Sequence, residues 1–402
     1  MALLCVAALA FNMARGNLPG RLRSRVQLFE GSQLPGEGNT TRTLAVDESV
    51  SLDELGPVVI AEDGTMRSID NWDSMTPEER EETQRIISKR NAARLKKLRG
   101  GGTLQSGTFS YGGFTCAYRR KPAARGFEES PPILLVHPVG IGLASWFWDR
   151  FLDEHSGAEC FVPDLIGCGQ SDAWQPDQQG LFIPLDWVRA LETMWQEQIK
   201  RPMIVVSQGG LAPLAVSLAS RETDAWRGSQ AVLGLVLASP PEWSALADGY
   251  PDDEVASNFE KLSATIGNPS PLGTFGYNLL CARPFVKFFS DSFLFADQAD
   301  EAFLEACGAT ARPERRWPVI AFNAGLVASR GYAEELRSLP QPTLVLCGAS
   351  GGKPKQPDDF EEGMRRCTVR SLPGLNVLPW ESTATVVRAI TDFASGLEES
   401  GE

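Results

Sequence analysis

The chain has 402 residues, 43% apolar and 22% charged, with a formal net charge of −13. That composition is globular and long enough for a sizeable core, which excludes fibrous and disordered classes. Acidity of this size excludes nucleic acid as a partner, because phosphate binding needs clustered positive charge.

The N-terminus reads as an address. A short apolar run ends in Ala8-Leu9-Ala10 before Phe11, a small-x-small junction, and Arg15, Arg21, Arg23 and Arg25 follow with no acid before Glu30. An apolar segment, an A-x-A-F junction and a basic, acid-free segment together resemble the two-part plastid leaders of algae with secondary plastids. The expectation is a targeting presequence over 1–29 and a soluble or peripheral plastid (chloroplast) protein. No apolar run reaches the about 20 residues that cross a bilayer.

Residues 30–71 are polar, rich in Gly, Thr, Asp and Glu, and read as linker. The segment 72–102 predicts one capped helix. Thr76 is a capping residue, Pro77 suits the first helical position, and Glu79 completes a capping box. The helix is expected to run to about Leu98 and to stop at Gly100-Gly101-Gly102. From Arg85 to Arg99 it carries seven basic residues and no acidic one. One reading is a surface, helix 77–98, for an acidic protein partner or anionic lipid headgroups. The other is a solvated helix packed through Ile86, Ile87, Leu95 and Leu98.

From about residue 105 short β-type runs alternate with helical stretches. The runs are Ile133 to Val136, Cys160 to Val162, Met203 to Val206, Val232 to Leu237 and Thr343 to Leu346, with helices such as Pro184 to Ile199 and Leu211 to Arg221 between them. Alternation of this kind predicts an α/β protein with a mostly parallel sheet and helices on both faces. Residues 241–338 break the rhythm, are rich in aromatics and look helical, which is the size and place of a cap inserted between two strands. The domain is expected to end near residue 396, with an acidic tail over 397–402. The eight cysteines form no C-x-x-C pair, and with only His137 and His155 as histidines there is no zinc-type cluster. They read as buried free thiols in a reducing compartment, and no metal or other cofactor is expected.

Landmarks then arrive in a fixed order. Leu134-Leu135-Val136-His137-Pro138-Val139-Gly140 is a strand running into a turn. Val162-Pro163-Asp164 opens a strand followed by the glycine turn Gly167-Cys168-Gly169. Ile204-Val205-Val206-Ser207-Gln208-Gly209-Gly210 is a strand leading to a serine and a helix, and Asn376-Val377-Leu378-Pro379-Trp380-Glu381 precedes the last helix. In this order and spacing the set resembles the α/β-hydrolase superfamily across residues 105–396. The resemblance implies the α/β-hydrolase fold, a mostly parallel sheet flanked by helices with a helical cap insertion. The closing N-V-L-P-aromatic-E-S-T run is also similar to that of a hydrolase-like group of plants and cyanobacteria without the usual triad.

That resemblance assigns roles. Ser207 is the candidate nucleophile on a strand-to-helix elbow, although Val205 stands where the G-x-S-x-G pattern has glycine. The oxyanion donors it implies are the N–H groups of Gln208 and Val139, since Pro138 has none to give. His137 is implied to shape the oxyanion loop. His155 falls at the end of the following helix and is expected on the surface. The position of the general base is Asn376, whose amide has no useful basicity. The acid position near Gly351 reads Gly348-Ala349-Ser350-Gly351, without a carboxylate; Glu242, Asp358 and Asp359 are the nearby alternatives. Loss of a triad histidine costs on the order of a million-fold in kcat. The chain therefore reads as a degenerate hydrolase in which Ser207, Val139, Gln208 and Asn376 bind a small apolar or acyl-type ligand or a partner without catalysis. The alternatives are a serine hydrolase of acyl or lipid esters with an unusual base, and a plastid assembly or docking factor.

Overall fold

The computed structural model describes residues 58–60, 66–68, 75–77, 103–221, 231–350 and 357–399, and single residues from 79 to 87. The chain divides into two compact units, Leu18–Gly100 and Met1–Asn17 with Gly101–Glu402. In the smaller unit Val58–Ile60 pairs antiparallel with Met66–Ser68. The sequence reads this stretch as linker, but its β-branched Val58-Val59-Ile60 run suits a strand. The expected capping box is present: Thr76 N–H donates to Glu79 Oε2 at 2.9 Å and Glu79 N–H to Thr76 Oγ1 at 3.3 Å. The presequence over 1–29 and the basic stretch over 88–102 lie outside the described residues.

The larger unit is built on eight strands: β1 (Gln105–Tyr111), β2 (Phe114–Lys121), β3 (Ile133–Val136), β4 (Cys160–Pro163), β5 (Met203–Gln208), β6 (Val232–Ala238), β7 (Thr343–Gly348) and β8 (Cys367–Leu372). They form one sheet in the order β1-β2-β4-β3-β5-β6-β7-β8. The β1–β2 and β2–β4 pairs are antiparallel and all others parallel. Gly112 and Gly113, at φ +55° and +86°, turn the β1–β2 hairpin in a conformation that only glycine takes freely.

The crossovers cover both faces. Helices α1 (Asp149–Glu154), α2 (Leu185–Met194) and α3 (Ala212–Ser220) follow β3, β4 and β5. Between β6 and β7 the chain is helical: α4 (Trp243–Ala247), α5 (Asp252–Ala264), α6 (Pro271–Cys281), α7 (Arg283–Phe289), α8 (Glu301–Thr310), α9 (Arg316–Ala324) and α10 (Ala333–Ser338). Helices α11 (Pro357–Gly363), α12 (Leu378–Glu381) and α13 (Thr383–Glu399) complete the unit. Successive residues of β5 feed opposite cores, as the period-two pleat requires. Met203 and Val205 pack with Trp187, Leu191, Leu214 and Leu218 of α2 and α3, whereas Ile204 and Val206 pack with Phe151, Trp380, Val386 and Ile390 of α1, α12 and α13.

Candidate functional site

The site lies at the carboxyl edge of the sheet, where open α/β sheets hold their ligands. Val139 after β3, Gln208 to Gly210 around the end of β5, Ser239 after β6 and Asn376 after β8 line one side of a cavity of about 320 Å³. Tyr250, Glu254 and Asn258 line it from the helical insertion. A second chamber of about 90 Å³, lined by Val286, Phe289 and Phe303, shares Val139, Leu143 and Phe293 with the first.

The strand-to-helix turn is at position 209. Strand β5 runs on to Gln208, two residues beyond the end expected at Val206, because Ser207 and Gln208 stay in register with Leu237 and Ala238 of β6. Helical structure starts at Gly209, which has φ +62°. Left-handed backbone between a strand and a helix is the geometry of a nucleophile elbow, and glycine adopts it without strain. A Cβ placed on Gly209 meets nothing within 4 Å, so the position opens into free space at the cavity wall. Gly210 is the reverse case. A Cβ there would come within 2.5 Å of the Phe322 ring on α9, so glycine lets that ring close over the turn.

Ser207, the residue that the sequence places on the elbow, stands two positions earlier, inside the strand. Alternation along β5 turns it toward the face of Met203 and Val205, under α2 and α3. It is 1% exposed and is not among the cavity-lining residues, and its Oγ meets no hydrogen-bond partner among the described residues. The implied oxyanion donors shift with the turn. Gln208 lies within the sheet ladder, and the residue after the elbow is Gly210, whose N–H at the helix start has no intrahelical acceptor. Val139 lines the cavity as expected.

Asn376 also lines the cavity, and it is pinned. Its Nδ2 donates to the Phe293 carbonyl at 2.6 Å and its N–H to the Leu294 carbonyl at 2.9 Å. Its own carbonyl accepts from Gln208 Nε2 at 2.5 Å. Glu381 closes the same junction, accepting from Ala296 N–H at 2.7 Å and Leu375 N–H at 2.8 Å. The amide at the base position thus ties the end of β5 and the loop after β8 to the segment joining α7 and α8. After β7, Ser350 exchanges hydrogen bonds with Gly374 at 3.0 and 3.1 Å, and Gly351 lies outside the described residues.

Neither histidine lines the cavity. His137 is fully buried, and its Nε2 accepts from Leu165 N–H at 3.1 Å while Nδ1 contacts the Pro138 carbonyl at 2.8 Å. Burial lowers its pKa against the opposing pull of the Asp164 carboxylate, so the neutral ring braces the loop that carries Val139. His155 does end α1, but it is buried and not on the surface. Its ring stacks on Phe151 at 5.3 Å, Nε2 donates to the Ala158 carbonyl at 2.9 Å, and burial pushes its pKa down to about 4.

Sequence reasoning missed Gly209, Ser239, Tyr250, Glu254 and Asn258. Ser239 follows β6 at φ +47°, with its N–H donating to the Leu346 carbonyl at 2.8 Å and its Oγ to the Leu375 carbonyl at 3.3 Å. Only Gly209 had a signal in the chain, the Gly209-Gly210 pair at a strand-to-helix junction.

Known proteins share this architecture. The alpha/beta hydrolase family matches residues 133–390. A haloalkane dehalogenase of Bradyrhizobium diazoefficiens is 26% identical over 306 residues, spanning 71% of this chain and 93% of that relative. A solved haloalkane dehalogenase from Bradyrhizobium elkani superposes with a TM-score of 0.54 at 21% identity, covering 74% of this chain and 99% of the other. A thermophilic esterase from Thermogutta terrifontis gives 0.53 at 18% identity, covering 73% and 99%. These structures share the fold with this chain: an eight-stranded, mostly parallel sheet flanked by helices.

Proposed function

This chain belongs to the alpha/beta hydrolase family, and we propose that it binds a small molecule in its cavity without hydrolysing it. The observation that carries the reading is Gly209. Hydrolysis on this fold starts from a side chain on the elbow, deprotonated by a histidine that an acid orients. The residue with the elbow's backbone has no side chain. Asn376 has no basic nitrogen, and both histidines are buried and neither lines the cavity. Removing the base alone lowers kcat by about a million-fold. Binding needs none of these groups. The cavity retains N–H donors at Val139 and Gly210 and an apolar second chamber. The named relatives, a haloalkane dehalogenase and an esterase, support a small organic ligand with an apolar part.

Fluorophosphonate labelling tests the reading. The full chain should stay unlabelled and should hydrolyse p-nitrophenyl butyrate at the buffer rate. Labelling that disappears in Ser207→Ala would establish Ser207 as a nucleophile and refute it. The plastid address belongs to the same proposal and rests on residues 1–29; a fluorescent protein fused behind them should enter plastids, and a cytosolic signal would remove it.

A further inference from the structure

We propose that the β1 edge of the sheet joins the same edge of a second copy of this chain, antiparallel and centred on Thr108. The two edges of the sheet differ. On β8 the N–H of Val369 donates to Glu361 Oε1 on α11 at 2.9 Å, and Arg370 stands exposed on the strand. A capped donor and a charge are devices that keep an edge from pairing. On β1 neither device is present: from Thr103 to Tyr118 the chain has no charged residue and no proline.

The hairpin decides which groups of β1 are unpaired. Gly112 and Gly113 make a two-residue turn, so Tyr111 and Phe114 exchange hydrogen bonds, as does every second pair behind them, Phe109 with Cys116 and Gly107 with Tyr118. The alternate residues of β2 turn away from β1: Thr115 N–H donates to Asp172 Oδ2 at 2.7 Å and Ala117 N–H to Ser171 Oγ at 2.9 Å. On β1 the alternate residues are Ser106, Thr108 and Ser110. Their N–H and C=O groups point out of the sheet edge without a partner among the described residues, and their side chains are exposed.

A row of free donors and acceptors fits any extended chain. The residue pattern singles out a second copy. Ser106, Thr108 and Ser110 place the same chemistry on either side of Thr108, and a two-fold interface requires a patch that matches itself. Turned about Thr108, Ser106 faces Ser110 of the second copy and Thr108 faces its own equivalent. Each facing pair exchanges two backbone hydrogen bonds and sets hydroxyl beside hydroxyl. Leu104, 41% exposed before β1, then lies against the glycine turn of the second copy. No charged side chain of either strand crosses that line. The net charge of −13 on each chain acts from farther away and is screened over about 8 Å at physiological salt.

Sedimentation velocity of the full chain tests the proposal. One strand edge is a small interface, so the wild-type chain should pass from monomer to dimer with a Kd on the order of 10–100 μM. Thr108→Lys and Thr108→Glu should each stay monomeric over that range, because like charges then face each other at the two-fold axis. Their equimolar mixture should dimerise again, because pairing residue 108 with its own equivalent sets the new ammonium beside the new carboxylate. That recovery also shows that both variants are folded. Hydrogen exchange at the amides of Ser106, Thr108 and Ser110 should slow as the wild-type concentration rises. A wild-type chain that stays monomeric, a dimer that survives both single variants, or a mixture that fails to associate overturns the proposal.

Discussion

Gly209→Ser puts a hydroxyl where the backbone holds an elbow. The substitution has two structural terms. At φ +62° an L-residue carries strain of about 1–2 kcal/mol, and removing a glycine from the unfolded chain returns about 0.4–1 kcal/mol. Steric cost is absent, because nothing lies within 4 Å of the new Cβ. The net loss is about 1 kcal/mol, a fall in Tm of roughly 2–4 °C for a domain of this order of size. Scanning fluorimetry reads that fall. Activity should not appear in the single variant, because Asn376 cannot take the proton. Adding Asn376→His supplies a base without an orienting acid, and such sites run about 3 × 10⁴ below a complete triad. The double variant should therefore react slowly with a fluorophosphonate, and peptide mapping should find the label on the hydroxyl introduced by Gly209→Ser. A fall in Tm above about 10 °C would show that position 209 is filled. A label mapped to Ser207 would show that the elbow has been placed on the wrong residue.

Asn376→Ala removes the bond to the Phe293 carbonyl; it should cost about 1 kcal/mol and speed hydrogen exchange in residues 290–297, and unchanged exchange there would remove its strap role. Gly210→Ala sets a methyl 2.5 Å from the Phe322 ring and should cost about 1–3 kcal/mol, most of it relieved when combined with Phe322→Ala in a double-mutant cycle. His155 has a folded pKa near 4 against 6.5 for the free ring, so the unfolded chain binds the extra proton. Its contribution, up to about 3 kcal/mol, is full above pH 6.5 and is lost as pH falls toward 4; NMR titration of its ring near 6.5 would contradict this.

The fold is legible in the sequence because it is written in repeated, local signals. Short apolar runs such as Ile133 to Val136, separated by helical stretches, specify a parallel sheet whatever the site does. The capping box at Thr76 and Glu79 is legible for the same reason. Asn376 is legible because its motif has neighbours, Leu378-Pro379-Trp380, that fix the alignment. The elbow is not. A polar Ser207-Gln208 pair looks like the end of a strand, and pairing to Leu237 and Ala238 carries the strand through it. Propensity says nothing of a partner strand, so sequence alone sets the turn at Ser207, two residues before the positive-φ Gly209. His155 misleads differently: a polar residue ending a helix reads as exposed, but Phe151 and the Ala158 carbonyl give its ring a buried place. Glu254 has no signal, because a carboxylate on a helix looks the same facing solvent or a cavity.

Gly209 and Asn376 make more sense together than apart. A catalytic histidine must alternate between protonation states beside its nucleophile, which restricts how firmly its own groups can be tied down. An amide has one state. Asn376 uses that freedom to donate to Phe293, while Gln208 and Glu381 fasten the adjoining segments to the same junction. Gly210 lets Phe322 close over the turn, and Gly209 leaves open space beneath it. Together these contacts hold the end of β5, the loop after β8 and the helical insertion around one cavity at the carboxyl edge.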